Sequence, residues 1–97
     1  MEVEVGRLSL DGQAVQFERA TLVEFLGWRV VLVGAAMKQG GTEAEHPVEL
    51  TISGERYLGT VRTAAFLEPS AAATPGKQTV LRGVGTLRRP GDRAPAQ

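Results

Sequence analysis

The chain has 97 residues, 11 acidic and 11 basic side chains, no cysteine and 42% apolar residues. That length supports one domain with a single modest core, and the missing cysteines exclude disulfides and thiolate metal sites. Charge is uneven along the chain: residues 1–54 carry a balance of −4 and residues 55–97 a balance of +4.

The first segment, Met1-Glu2-Val3-Glu4-Val5-Gly6, has no basic stretch followed by an apolar one, so it does not read as a signal peptide. Residues 2–10 and 13–19 read as two strands around Asp11-Gly12, a pair that suits a type I′ turn because both residues tolerate positive φ. Within the first strand the apolar phase changes. Val3 and Val5 share one face, Leu8 and Leu10 the other, and a bulge at Gly6 reconciles them. Residues 20–26 carry both helical spacing (Leu22, Phe25, Leu26) and strand alternation (Thr21, Val23, Phe25); continuation of a strand is the favoured reading. After Gly27, the β-branched run Trp28-Arg29-Val30-Val31-Leu32-Val33 predicts a central strand buried on both faces. The longest apolar run, Val30 to Met37, is well below the ~20 residues of a membrane helix.

Residues 35–47 read as a polar loop ending at Pro47, followed by clean alternation at Val48, Leu50 and Ile52. Ser53-Gly54-Glu55-Arg56 predicts a tight turn into a strand over residues 57–67. A second loop covers residues 68–76, and a last strand covers residues 78–88. Two segments echo each other, Leu58-Gly59-Thr60-Val61-Arg62 and Val84-Gly85-Thr86-Leu87-Arg88. They are expected to be neighbours in the sheet, their glycines marking bends or close backbone approach. Residues 89–97, rich in Pro and Arg, are expected to form a flexible tail beyond a domain of residues 1–88.

Groups suited to chemistry are few. His46 is the sole histidine, beside Glu43, Glu45 and Glu49, and one imidazole without a second nitrogen or sulfur ligand makes a poor zinc site. Ser9, Ser53 and Ser70 lie outside any Gly-x-Ser-x-Gly frame. Pro75-Gly76-Lys77-Gln78-Thr79 looks like a phosphate loop but lacks the first glycine and the hydroxyl after Lys77. Gly83-Val84-Gly85 starts like a dinucleotide motif but has Arg88 where the third glycine belongs. No catalytic residue, cofactor or metal is therefore expected.

The expected fold is all-β, a six-stranded small barrel or compact sandwich of the SH3-like or OB-like kind. Its expected core is Val3, Val5, Leu8, Leu10, Val15, Phe17, Leu22, Trp28, Val30, Leu32, Val48, Leu50, Ile52, Val61, Phe66, Val80, Val84 and Leu87. The expected function is that of a non-enzymatic interaction module in a larger homo-oligomeric assembly. By architecture alone, such domains resemble subunits of phage particles and contractile injection machines, which implies a cytoplasmic or virion location and no membrane. The alternative is a barrel binding single-stranded nucleic acid, which a pI near 6.6 disfavours. Candidate surface residues are Arg56, Tyr57, Arg62, Arg82, Arg88 and Arg89, with an exposed last strand open to edge pairing. If the two halves of the chain interleave in the fold, their charges cancel. If they separate, opposite surfaces favour head-to-tail self-association.

Overall fold

A computed structural model describes residues 1–68 and 72–89. The alternating segments become eight strands: β1 (Glu2–Glu4), β2 (Arg7–Leu10), β3 (Gln13–Ala14), β4 (Arg19–Glu24), β5 (Trp28–Val33), β6 (Ala44–Ile52), β7 (Glu55–Thr63) and β8 (Gln78–Arg88). All pair antiparallel in one sheet, ordered β1-β4-β5-β8-β7-β6-β2-β3. The described residues contain no helix, so none is long and apolar enough to cross a membrane. A single sheet rules for the barrel-like form over the sandwich.

The count exceeds the expected six because residues 2–10 divide at Gly6 and only two residues after Gly12 pair as β3. The division has a consequence for the whole sheet. β1 pairs with β4 while β2 pairs with β6, and two residues separate them. Val5 donates its N–H to the Ala20 carbonyl and Gly6 donates to that of Thr51, each at 2.8 Å. Successive amides thus reach β4 and β6, on opposite sides of the central strands β5, β8 and β7, and the sheet curls around its apolar face. The same step explains the phase change, since Val5, Leu8 and Leu10 are all buried.

Two-residue turns join β2 to β3 and β6 to β7. Asp11 (φ 53°) and Gly12 (77°), like Ser53 (51°) and Gly54 (79°), occupy the left-handed region that type I′ requires. Residues 20–24 continue as β4, so strand alternation prevails over helical spacing there. β5 buries Trp28, Val30 and Leu32, but Arg29 is exposed and Val31 and Val33 are half-buried, so it is covered on one face only. The polar loop is shorter than expected, because β6 already begins at Ala44. Lys38 pairs with Phe66 in an isolated bridge, which takes Phe66 out of β7.

Most expected core residues are buried, with Val3 and Phe17 packed against them from the rim. Val80 (43% exposed) and Phe66 (37%) are corrections, and Val84 is half-buried. In β8 the inward residues are Thr79, Leu81 and Gly83, one position out of phase with the expected Val80 and Val84. A one-residue slip exchanges the two faces of a strand. The remaining core is supplied by Ala20, Ala35, Met37, Ala65 and Leu81. Buried Thr79 accepts from Gln39 Nε2 at 2.9 Å and Thr63 Oγ1 from the Ala65 amide at 3.0 Å, so both hydroxyls are paired.

The echo segments are neighbours: Val61 pairs with Gly83, Arg62 with Arg82, Thr60 with Val84 and Leu58 with Arg88, with a bulge between Leu58 and Thr60. Gly59 and Gly83 form the bed for the Trp28 ring. A methyl group on Gly59 would lie 2.8 Å from Trp28 Cζ2, and one on Gly83 would land on Cδ2 and Cε2. The indole N–H donates to the Gly85 carbonyl at 3.1 Å, satisfying the ring's polar atom.

Candidate binding face

The sheet alternates inward and outward residues, so its register decides which charges meet. In β5, β7 and β8 the residues beside the buried ones point out: Arg29 next to Trp28 and Val30, Arg62 next to Val61, and Arg82 next to Leu81. Arg29 pairs directly with Arg82, and Arg82 pairs directly with Arg62. Three exposed guanidinium side chains therefore stand in one row across three adjacent strands. Opposed residues in such pairs have Cβ atoms about 5 Å apart, a spacing at which like charges destabilise a sheet. Arg82 is relieved by Glu43, with which it forms an ion pair. Arg29 and Arg62 make no ion pair among the described residues. Glu45, opposite Arg62 in β6, and Glu2, opposite Val23 in β4, end the row on either side.

Two residues along β5 and β8 the outward positions are apolar. Val31 of β5 pairs with Val80 of β8, flanked by Thr21 of β4. The face thus combines guanidinium groups with an aliphatic stripe, the pairing of residue types that favours protein interfaces. Val80 owes its exposure to this arrangement.

The six residues singled out from the sequence divide into groups. Arg62 and Arg82 are brought together in the row. Arg88 lies on the same side of the sheet but near its other end, opposite Leu58. Arg89 sits with its guanidinium carbon 6.0 Å from the Tyr57 ring centroid and pairs with Glu24. Tyr57 itself packs against the core. Arg56 pairs with Glu49 at 2.5 Å and borders a cleft of about 340 Å³ with Arg7, Ser9 and Thr51. Arg29 was missed, and cross-strand register is the signal that identifies it. The expected edge role of the last strand is also corrected: β8 lies between β5 and β7.

The acidic and basic halves interleave. Arg56–Glu49, Arg82–Glu43 and Arg89–Glu24 each join a second-half arginine to a first-half glutamate, and Lys38–Glu68 (3.1 Å) does the reverse. His46 Nδ1, in β6, lies 2.8 Å from Oδ2 of Asp11 in the β2–β3 turn, so its partner is none of the three glutamates near it in sequence. No group of three or more potential metal ligands forms among the described residues. The Gly76 segment is a turn (φ 77°) leading into β8 at Gln78. Of the expected tail, residues 90–97 lie outside the described residues. Comparison with protein families, curated proteins and solved structures found no match for the chain.

Proposed function

We propose that this chain is a non-enzymatic interaction module working within a larger homo-oligomeric assembly, a small β-barrel subunit in the manner of SH3-like and OB-like domains. The observation that carries this reading is the Arg29–Arg82–Arg62 row beside half-buried Val31 and exposed Val80. A row of like charges costs the monomer free energy and is relieved by a partner that brings carboxylates to it. The aliphatic stripe supplies apolar area to the same contact. A protein surface fits better than single-stranded nucleic acid. Base stacking needs exposed aromatic rings among the cations, whereas the strands that carry the row offer only Trp28, which is buried, and Tyr57, half-covered under Arg89; the exposed rings of Phe25 and Phe66 lie outside those strands. Phage particles and injection machines are settings in which such a subunit would serve.

Size-exclusion chromatography with light scattering tests the reading. The wild-type chain is expected to run as an oligomer at low salt, and Arg29→Glu with Arg62→Glu to shift it towards monomer with an unchanged circular dichroism spectrum. A wild-type chain that stays monomeric, or a double variant that assembles as before, removes this face from the proposal. Tight, salt-dependent binding of a labelled oligonucleotide would promote the nucleic-acid reading instead.

A further inference from the structure

We infer that the chain binds the phosphate group of a small organic ligand on the outer face of β2, β6 and β7. Register builds the site. Arg7 pairs directly with Thr51, and Thr51 pairs directly with Arg56. Leu8 beside Arg7, and Leu50 and Ile52 beside Thr51, are buried, so Arg7 and Thr51 point outward and Arg56, opposite Thr51, shares their face. Adjacent strands lie about 4.8 Å apart, which sets the two arginines about 10 Å apart with the threonine between them. In the Arg29–Arg82–Arg62 row neighbouring guanidinium groups stand one strand apart and repel. Here the separation is two strands, wide enough for an oxyanion to sit over Thr51 and accept from a guanidinium on either side.

The three residues border the cleft of about 340 Å³, and of its lining only Leu8 and Gly54 lack a polar side chain. No hydrogen bond joins the Ser9 or Thr51 hydroxyl to another described residue, so both can donate to an anion. Glu49 shares the cleft, but it is engaged by Arg56 at 2.5 Å and holds that guanidinium at the edge. Arg7 makes no ion pair among the described residues. Two arginines against one glutamate leave the cleft a net charge of +1. Glu55, the next acid, lies opposite inward-facing Ile52 and so belongs to the other face. Arg7 and Ser9 also line the cleft of about 410 Å³ on the β3 side of β2, with Val15, Gln16 and Phe17. The two spaces meet at Arg7, so a ligand whose phosphate lies against it can extend a partly apolar body into the second. Thr51 is six residues along β6 from Glu45, about 20 Å, which separates this site from the arginine row.

Titration of isotope-labelled protein with inorganic phosphate and with phenyl phosphate, followed by NMR at constant ionic strength, tests the site. Both are expected to shift the amides of residues 7–9, 49–51 and 54–56 saturably. Phenyl phosphate is expected to bind about tenfold more tightly, because its ring gains apolar contact in the second cleft. Arg7→Gln and Arg56→Gln are each expected to weaken phosphate binding about tenfold, the loss of one charge-assisted hydrogen bond, whereas Arg19→Gln on β4 leaves it unchanged. Glu49→Gln keeps an acceptor for Arg56 and removes the competing charge, so it is expected to tighten binding. Equal losses from all three arginine variants would mean a diffuse charge effect and no site. Equal affinity for the two probes would overturn the organic ligand and leave a free oxyanion. Shifts that do not saturate with either probe overturn the site itself, while the subunit reading, tested by oligomeric state, is unaffected.

Discussion

Trp28 shows how a single side chain determines the residues around it. Its ring needs a flat bed on two neighbouring strands, and Gly59 and Gly83 provide that bed. Gly83→Ala is expected to destabilise the fold by about 3 kcal/mol, because the added carbon meets ring atoms and the Trp28 carbonyl together. Gly59→Ala is expected to cost about 1 kcal/mol, since its contacts at 2.8–3.1 Å are to ring edge and to Leu87 Cδ1 rather than to backbone. Urea unfolding followed by Trp28 fluorescence would rank the two, and equal costs would contradict this packing. Leu26 is the opposite case, a residue whose conformation is unfavourable and whose side chain touches little. Leu26→Asn is expected to raise monomer stability by about 0.5 kcal/mol, because Asn tolerates positive φ. Thermal denaturation would show the gain, and a lower midpoint would contradict it.

At the scale of strands, register creates the arginine row. Each of Arg29, Arg62 and Arg82 is unremarkable in its own strand, and alternation merely points each outward. Pairing β5 with β8 and β8 with β7 places the three side by side. Arg29→Thr is expected to stabilise the monomer by about 0.5 kcal/mol at low salt, since a like-charge neighbour is removed and a β-branched residue is gained. The electrostatic part of that gain should vanish in 1 M salt, where charges more than ~3 Å apart are screened. Assembly should weaken with the same substitution. A variant that is less stable at low salt would show that Arg29 is held by a favourable contact and would undercut the binding face. The echo between β7 and β8 was legible because each strand pairs with the segment it resembles. The phase of β8 was not, because Val80 and Leu81 are adjacent and both apolar; the Arg82 partners and the Trp28 bed decide it.

For the molecule as a whole, closure depends on one short segment. Val5 and Gly6 donate hydrogen bonds to Ala20 in β4 and Thr51 in β6, on opposite sides of the three central strands. Gly6→Pro removes the second donor and leaves the Thr51 carbonyl without it, an expected cost of about 2 kcal/mol. Because both ends of the sheet share that segment, unfolding by fluorescence and by circular dichroism should still coincide. Separate transitions would mean that the two sides of the sheet fold independently. Charge is also settled at this scale. The −4 and +4 halves are laced together by ion pairs between Arg56, Arg82 and Arg89 and their glutamates, so segregation along the chain becomes mixing on the surface.

Alternation, turn chemistry and composition determined by themselves that this is a chain of antiparallel strands with tight turns at Asp11-Gly12 and Ser53-Gly54, a phase break at Gly6 and a last strand over residues 78–88. These properties are local, written in the φ preference of one or two residues or in a period of two. Only the tertiary structure decided which strands lie side by side, and with that the stacking of Arg29, Arg82 and Arg62, the outward turn of Val80 and the glycine bed under Trp28. Those outcomes depend on hydrogen bonds between residues tens of positions apart, whose register no local pattern encodes.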